Sequence, residues 1–546
     1  MDANAPRSIT AGCLILLVLA LPLYLFGLGR TGLSDPDEPY YALTAKEMLQ
    51  NGDYTVPLFH GHPWFDKPIL FYWIVLAGYR LLGVSEAGAR IGSVLAAVCG
   101  IVAVFVLGRA HVRSRLAAFG AAIILATSLE YVVLARAAVT DMTLTLFITL
   151  GMLFAARCLS GGGAVWAALS GAALGLATLT KGPVGIFVPA AALVLYVFLA
   201  RRTDAFRPRL LAASICGFLL TAGPWYLYMG IRYRDLLVGT FLGQGNLGRF
   251  LAAEHRSFPF YYAGVVLAGL IPWSGALPAA LLHAARPSTW SGERGRDGRP
   301  GPLFFLCWFA AVLVVFSLAA SKLPSYVLPA FPPAALLLGE FWAGALAPAD
   351  GSQRLGGAAV SAWLGLAIGL AGALVLVSVT RRPALAGAAH AALAAGAIVI
   401  GGAALAILPV RRGSWTGFVL VQGAAAAAAV LMLCAVALPR VEEFDSTRPL
   451  VRQLRDSRID DKVVGIYRAH DVSLDFYLGR EVRFVDDPLE LRRQVTAAPG
   501  GVWIVLTRDL QKLGSGGGLI VEPLLERPCR SAVRLLPATG VSPEGS

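Results

Sequence analysis

The chain has 546 residues, of which 57% are hydrophobic and 14% are charged, and its formal net charge is +13. This apolar composition excludes a soluble globular protein and predicts a polytopic membrane protein. The positive charge does not indicate a nucleic-acid partner, because no soluble basic domain is present to carry it.

Apolar segments follow one another from Ile9 to Pro439, with short polar or Gly/Pro breaks between them. A membrane-spanning helix needs roughly 20 apolar residues, so the pattern predicts about 13 such helices. The first segment lacks a small-residue cleavage site and is followed by charged residues, which predicts a retained span. We place the spans near residues 11–29, 86–108, 117–134, 138–156, 165–180, 183–200, 210–230, 260–283, 303–320, 325–346, 357–379, 384–408 and 415–438.

An acidic motif, DPDE at residues 35–38, follows the first apolar segment. Carboxylates at the end of a span are costly to bury without cationic or metal partners, so they favour a functional site. A second motif, WFDKP at residues 64–68, places a lysine just before another apolar stretch. We therefore expect acids and a cation on one face of the membrane.

Arginine-rich breaks at residues 109–115, 201–209, 286–299 and 411–412 predict the orientation of the chain. By the positive-inside rule these loops are cytoplasmic, and so is the N-terminus, although Arg381-Arg382 falls on the opposite face. An ammonium group is a good partner for phosphate, so lysines near acids on the outer face suggest anion binding. Four lysines fall on that face: Lys46, Lys67, Lys181 and Lys322.

The sequence changes character after Pro439. Strands are predicted at residues 462–467, 482–485 and 502–507, with helices at 473–478 and 488–495 between them. The pattern predicts a small α/β domain, which an odd number of spans places outside the cytoplasm. The Gly/Pro-rich end from Gly514 onward is expected to be loose.

Six short motifs occur in a defined order along residues 10–345. The motifs are Asp37-Glu38 with Tyr41-Ala42, Phe65-Asp66-Lys67-Pro68, Thr140-Asp141-Met142, Leu179-Thr180-Lys181-Gly182-Pro183, Arg249-Phe250 and Ser321-Lys322-Leu323-Pro324-Ser325-Tyr326. With this set the chain resembles the bacterial GT-C glycosyltransferases related to protein O-mannosyltransferases, and in pattern most of all the undecaprenyl-phosphate aminoarabinose (lipid A) transferases.

The resemblance implies a GT-C fold in the bacterial inner membrane. The first domain, residues 1–439, would carry a catalytic first periplasmic loop at about residues 30–85, and residues 440–546 would form the periplasmic α/β domain. The implied partners are membrane lipids, a polyprenyl-phosphate-linked sugar donor and an outer-leaflet acceptor such as lipid A. Sugar transfer is expected to invert the configuration at the sugar C1. The protein is expected to be a monomer.

The resemblance also implies roles for individual residues. Asp37 matches the family's acid. It would act as a general base if the acceptor is a hydroxyl group, or orient the acceptor if that is an ionised phosphate. Glu38, beside it, is the second catalytic candidate. Cations would stabilise the departing phosphate. The implied phosphate-binding residues are Lys67, Arg249, Tyr326 and Lys181, and the implied surrounding or substrate-contacting residues are Asp141, Asp66 and Tyr41. His255 lies near Arg249 in the sequence and could also line the site.

Several of these residues have structural alternatives. Glu38 could pair with a cation to hold its loop, Asp141 could balance Arg136 or Lys181, and Tyr326 could be an interfacial anchor. Asp35 could be a loop carboxylate without a role in chemistry.

The metal, the substrate and the functional class also have alternatives. The His60-Gly61-His62 segment with Asp66 could bind a metal, but a solvated loop is the simpler interpretation. No cofactor is required by the implied chemistry, and the sequence does not support a divalent metal.

The chain also departs from the aminoarabinose pattern at Tyr40, at Asp66 and in residues 243–246, which leaves the sugar and the acceptor open. The alternatives are a protein- or oligosaccharide-directed transferase and, in another class, a multi-span transporter.

Overall fold

A computed structural model describes residues 5–202, 207–248, 251, 258, 260–290, 293, 298–345, 386–412, 414–516 and 519–537. The chain up to residue 445 is almost entirely helical within these ranges, and a mixed α/β region follows. The α-helices of the first part are Ala5–Leu25, Asp37–Asn51, Leu70–Leu82, Glu86–His111, Arg115–Thr127, Leu129–Ala135, Thr140–Arg157, Ala164–Lys181, Val184–Ala200, Pro208–Arg232, Tyr261–Gly269, Leu277–Ala284, Pro302–Leu318, Phe331–Ala345, Ala386–Arg411, Trp415–Met432 and Leu438–Asp445.

The prediction of about 13 spans is not confirmed. Over the described residues, 7 helices are long and apolar enough to cross a membrane, or up to 8 if one bent pair counts as a single span. Four further apolar helices have only 10–17 residues: Ile9–Leu25, Leu70–Leu82, Val184–Ala200 and Pro302–Leu318. The first, third and fourth correspond to predicted spans, whereas Leu70–Leu82 was not predicted as one. The predicted span at 357–379 lies outside the described residues.

Two predicted spans are interrupted. Helices Arg115–Thr127 and Leu129–Ala135 meet at an angle of 62°, and Ser128 between them donates its hydroxyl to the Ile124 carbonyl, a contact that bends helices. Instead of one helix at 260–283, the chain forms Tyr261–Gly269 and Leu277–Ala284. Pro272 lies between them and disfavours a helical backbone before it, so the continuous helix predicted there is wrong.

Close backbone packing fixes helix Ala164–Lys181 against helix Pro208–Arg232. A Cβ atom added to Gly171 would lie 1.8 Å from the Ser214 carbonyl oxygen, and one added to Gly217 would lie 2.0 Å from that of Ala168. Only glycine allows this approach, which is a common way for helices to pack in membranes. The contact holds the helix that ends at Lys181.

The C-terminal region contains a five-stranded sheet in the order β4-β3-β5-β7-β6. A short ribbon, β1 (Leu58–Phe59) and β2 (His62–Pro63), precedes it in the chain. In the sheet, β3 is parallel to β4 and β5, whereas β7 is antiparallel to β5 and β6. The strands are β3 (Val463–Tyr467), β4 (Arg483–Val485), β5 (Val502–Leu506), β6 (Leu519–Leu525) and β7 (Arg530–Pro537), and the helices are Arg448–Asp456, Ser473–Leu478, Pro488–Ala497 and Leu510–Gly516.

The three strands and two helices predicted between residues 462 and 507 are confirmed. The expectation of a loose end from Gly514 onward is wrong over residues 519–537, which form β6 and β7. Their side chains supply core residues, such as Val533 and Leu535, to one face of the sheet. β6 and β7 are neighbours in the chain and pair with each other, and β7 also pairs with β5, a contact that local composition did not reveal.

Helix Ser473–Leu478 packs against residues 32–60 of the first loop, and we call this contact the docking interface. Asp35 accepts hydrogen bonds from the backbone N–H (2.9 Å) and the hydroxyl of Ser473. The Tyr477 hydroxyl accepts a hydrogen bond of 2.8 Å from the Leu33 N–H, and Lys46 donates one of 3.1 Å to the Phe476 carbonyl. The C-terminal region is therefore held directly against the loop that carries Asp37.

Candidate active site

A polar cavity of about 310 Å³ lies where the first loop meets the ends of several membrane helices. It brings together seven of the ten residues predicted for the site. They come from five separate segments of the sequence, so the tertiary structure assembles them. The lining residues are Asp37, Tyr40, Tyr41, Trp64, Asp66, Lys67, Asp141, Lys181, Ser321, Leu323, Ser325 and Tyr326.

Asp37 is the first residue of helix Asp37–Asn51 and is open to this cavity. The surrounding protein raises the pKa of its carboxyl group, because burial and the nearby Asp141 carboxylate outweigh the opposing effect of Lys181 and Lys67. A carboxylate with a raised pKa binds a proton more strongly than an ordinary aspartate. Asp37 is thus suited to accept a proton.

Two lysine–aspartate pairs lie in the same cavity. Lys181 ends its helix and contacts Asp141, near the start of helix Thr140–Arg157, at 2.5 Å. The Lys181 ammonium also lies 4.6 Å from the ring centroid of Tyr326, which is a cation–π distance. The pairing of Asp141 with Lys181, one of the two alternatives for this acid, is therefore the one observed.

Lys67 forms the second pair and contacts Asp66 at 2.6 Å. Its side chain is only 11% exposed and that of Asp66 is 25% exposed. Both lysines are nearly buried and each contacts a carboxylate, so the cavity holds two ordered ammonium groups beside the three carboxylates Asp37, Asp66 and Asp141.

A second, mainly apolar cavity of about 430 Å³ adjoins the polar one. Its walls include Val184, Phe187, Leu242, Val315 and Phe316. Five residues line both cavities, namely Asp66, Lys67, Lys181, Ser321 and Tyr326. The two lysines and the tyrosine hydroxyl therefore lie where a polar chamber meets an apolar one.

Glu38 does not line either cavity, although the sequence placed it beside Asp37 as a catalytic candidate. It is 3% exposed, and its carboxylate accepts hydrogen bonds of 2.6 and 2.8 Å from Arg90. The backbone N–H groups of Ser34 and Ala138 donate two more. Burial alone would raise the pKa of Glu38, but Arg90 and these N–H groups lower it. The geometry favours the structural alternative, a carboxylate that holds the loop.

The remaining predicted residues differ in their placement. Tyr41 lines the polar cavity and packs edge-on against Phe71, with 5.3 Å between ring centroids. Arg249 and His255 lie outside the described residues. His60 is not in a metal site: its Nε2 lies 2.9 Å from Asp475 and its Nδ1 lies 3.4 Å from Glu481. Over the described residues, no group of His, Cys, Asp and Glu side chains could hold a metal ion.

Sequence reasoning missed several residues of the site. Tyr40 and Trp64 line the cavity with parallel rings, 6.1 Å between centroids and 6° between planes. Ser321 and Ser325 also line it, and both lie within a motif already noted, so their position beside Tyr326 could have identified them. Arg90, the partner of Glu38, was also missed: a charged residue within a predicted span marks a paired group, but the local pattern does not show which carboxylate it pairs with.

Comparison with known proteins agrees with this arrangement. Residues 9–238 match the family model described as dolichyl-phosphate-mannose-protein mannosyltransferase. An undecaprenyl phosphate-alpha-4-amino-4-deoxy-L-arabinose arabinosyl transferase from Erwinia tasmaniensis is 34% identical over 65% of this chain and 63% of its own length. An uncharacterized protein from Aquifex aeolicus is 30% identical over 60% of this chain and 63% of its own. The chain spans about three fifths of the length of these curated relatives.

The fold is also that of a solved structure. ArnT from Cupriavidus metallidurans, crystallised with undecaprenyl phosphate, superposes with a TM-score of 0.75 at 23% identity, covering 100% of both chains. In its apo state the same protein gives a TM-score of 0.76. The predicted GT-C fold is therefore confirmed, and the resemblance found in the sequence agrees with these comparisons: over part of its length the chain is similar to the protein mannosyltransferase family model and to the aminoarabinose transferases.

Proposed function

We propose that the protein transfers a sugar from a polyprenyl-phosphate donor to an outer-leaflet acceptor such as lipid A. The observation that carries this proposal is the junction of the two cavities. A polyprenyl-phosphate sugar has an apolar chain, an anionic phosphate and a polar sugar. The apolar cavity fits the chain, Lys67 and Lys181 at the junction fit the phosphate, and the polar cavity fits the sugar.

The chemistry follows from this placement of the donor. The bond between the sugar C1 and the phosphate oxygen breaks, and C1 forms a bond to an acceptor oxygen that attacks from the opposite side. The electron pair of the broken bond leaves on the phosphate, so negative charge develops next to Lys67 and Lys181. A single displacement of this kind inverts the configuration at C1.

Asp37 supplies the proton acceptor. If the acceptor is a hydroxyl group, Asp37 takes its proton as the new bond forms, and the raised pKa of Asp37 favours that step. If the acceptor is an ionised phosphate, Asp37 orients the sugar or the acceptor instead. Asp141 holds Lys181 in place, and Tyr326 lies against the same ammonium group.

The family resemblance extends the proposed site beyond the described residues. Arg249 would add a third cation to the phosphate site, and His255 would lie at its margin. The stacked rings of Tyr40 and Trp64 would form a wall of the sugar chamber. No metal or other cofactor enters this mechanism.

We also propose the inner membrane as the location and a monomer as the active form. The transmembrane domain would be residues 1–439, with its catalytic loop at about residues 30–85 outside the cytoplasm, and residues 440–546 would be the periplasmic domain. Alkaline phosphatase fused after residue 546 should then be active, whereas a fusion after Arg412 should be inactive. The reverse pattern would overturn the orientation.

Reconstitution tests the proposed reaction. The purified protein in liposomes is given undecaprenyl-phosphate-linked 4-amino-4-deoxy-L-arabinose and lipid A, and the lipids are followed by mass spectrometry. We expect lipid A to gain the mass of one sugar and undecaprenyl phosphate to appear. If the donor is consumed only when a membrane protein or a glycan replaces lipid A, the acceptor belongs to the alternative class. If the donor is not consumed with any acceptor, or crosses the membrane unchanged as for a transporter, the proposal fails.

A further inference from the structure

A separate cavity of about 200 Å³ lies in the C-terminal region. Tyr467 and Arg468 come at the end of β3, Arg492 lies on helix Pro488–Ala497 after β4, and Asp509 and Lys512 follow β5. Three parallel strands therefore send their carboxyl ends toward one opening. Apolar side chains complete its lining, namely Pro488, Leu491, Leu513 and Leu519.

The connections between these strands make this opening a topological switch point. From β3 the chain runs through helix Ser473–Leu478 to β4 on one side, and from β4 it runs through helix Pro488–Ala497 to β5 on the other side of β3. In open α/β sheets, ligands bind outside the carboxyl ends of the strands where the strand order reverses in this way.

The lining favours an anion that also offers hydroxyl groups. Three cations, Arg468, Arg492 and Lys512, face one carboxylate, Asp509, in the same cavity. The Arg468 Nε donates a hydrogen bond of 3.3 Å to the Asp486 carbonyl and lies 3.9 Å from the exposed Asp486 carboxylate. The Tyr467 ring centroid lies 5.1 Å from the Arg468 guanidinium carbon. Over the described residues, the protein makes no hydrogen bond to the two Nη groups of Arg468, so they can bind a phosphate bidentately.

Asp509 gives the cavity its second recognition element. Its side chain is 13% exposed and lies 3.8 Å from Lys512 and 3.9 Å from Arg508. Its carboxylate oxygens can accept hydrogen bonds from sugar hydroxyls. The volume fits one small sugar with its phosphate and not a long saccharide.

The geometry points to a second ligand site at this switch point, which binds a phosphorylated sugar with Arg468, Arg492 and Lys512 around the phosphate and Asp509 on a hydroxyl. The ligand is a sugar phosphomonoester, either free or as the headgroup of a lipid. The site is independent of the proposed transfer reaction, because none of its residues lines the two cavities near Asp37.

Hydrogen exchange of the full-length protein tests the proposal locally, since a phosphate bound at Lys67 would not protect the C-terminal peptides. Glucose 1-phosphate should slow exchange in peptides covering residues 465–470 and 507–513, and glucose should not. In a second arm, nanodiscs containing lipid A are compared with nanodiscs of phosphatidylcholine. Protection by lipid A assigns a lipid headgroup, and protection by glucose 1-phosphate alone assigns a free phosphosugar.

Charge variants complete the test. Arg468→Gln and Lys512→Gln should each weaken the apparent affinity for glucose 1-phosphate about tenfold or more. Each substitution removes a charge-assisted hydrogen bond to the phosphate. Lys512 is 80% exposed, so its substitution leaves the fold intact. Lys462→Gln is the matched control: Lys462 is exposed and lies at the amino end of β3. Unchanged exchange with both ligands, or equal protection in Lys512→Gln and Lys462→Gln, would overturn the proposal.

Discussion

Asp37 and Glu38 are neighbours in the sequence but occupy opposite environments. The Asp37 carboxylate is open to a polar cavity that it shares with two lysines. Glu38 is buried, and its oxygens accept hydrogen bonds from Arg90 and from two backbone N–H groups. The first carboxylate can meet a substrate, whereas the second cannot without breaking contacts inside the protein. Access and unfilled hydrogen-bonding capacity therefore support the proposed role of Asp37, and the presence of an acidic residue in the motif is not sufficient by itself.

The strongest test of this contrast is Asp37→Asn, which keeps the size of the side chain and removes its charge. We expect the rate of sugar transfer to fall by about 10²–10⁴, the usual contribution of a general base. Because the pKa of Asp37 is raised, the wild-type rate should begin to fall with acidification at a higher pH than an ordinary aspartate would give. Asp35→Asn is the control, and normal transfer by Asp37→Asn would exclude this loop as the catalytic centre.

Arg90→Met should mainly affect stability. It leaves the Glu38 carboxylate buried without its cation, a change that typically costs about 3–5 kcal/mol. The measurement is the thermal unfolding midpoint of the protein in detergent. The double variant Glu38→Leu/Arg90→Leu should recover much of the loss because it removes both charges. The exposed Arg80 provides a control, and an Arg90→Met protein as stable as Arg80→Met would contradict a structural role for the pair.

The cations at the junction of the cavities should affect turnover and not folding. Lys67→Ala removes one of the charges next to the departing phosphate, and we expect a loss of about 10²–10³ in rate. Arg249→Ala tests the residue implied by the family resemblance in the same assay. Lys462→Ala, far from both cavities, should be unaffected. Near-normal turnover by both site variants would remove these cations from the mechanism.

The smallest expected effect concerns the docking interface. Burial and the nearby Asp471 carboxylate raise the pKa of Asp35 to about 7. The folded state therefore binds this proton more tightly than the unfolded state, in which an aspartate pKa is about 3.9, and the contribution of Asp35 to stability falls as pH rises between these values. Asp35→Asn should flatten the dependence of the unfolding midpoint on pH between 5 and 8. An unchanged slope would show that Asp35 does not titrate in this range.

Local sequence patterns determined much of the fold. Long apolar runs such as 86–108 require helices because backbone polar groups have no water to bind in a membrane. The short segments after residue 462 that are rich in Val, Ile and aromatic residues similarly predicted strands. The ordered motifs also indicated which residues would form a site, since Asp37, Lys67, Asp141, Lys181 and Tyr326 all line the polar cavity.

Other features depended on contacts between distant parts of the chain. The pairing of β7 with β5 and the partners of Glu38 and His60 were not apparent from local patterns. Arg90 lies 52 residues from Glu38, and Asp475 lies 415 residues from His60. Sequence alone determined which segments are helices or strands and which charged residues are unusual. Only the tertiary structure decided which carboxylate is neutralised inside the protein and which remains open to a substrate, because that depends on the groups that folding brings within hydrogen-bonding distance.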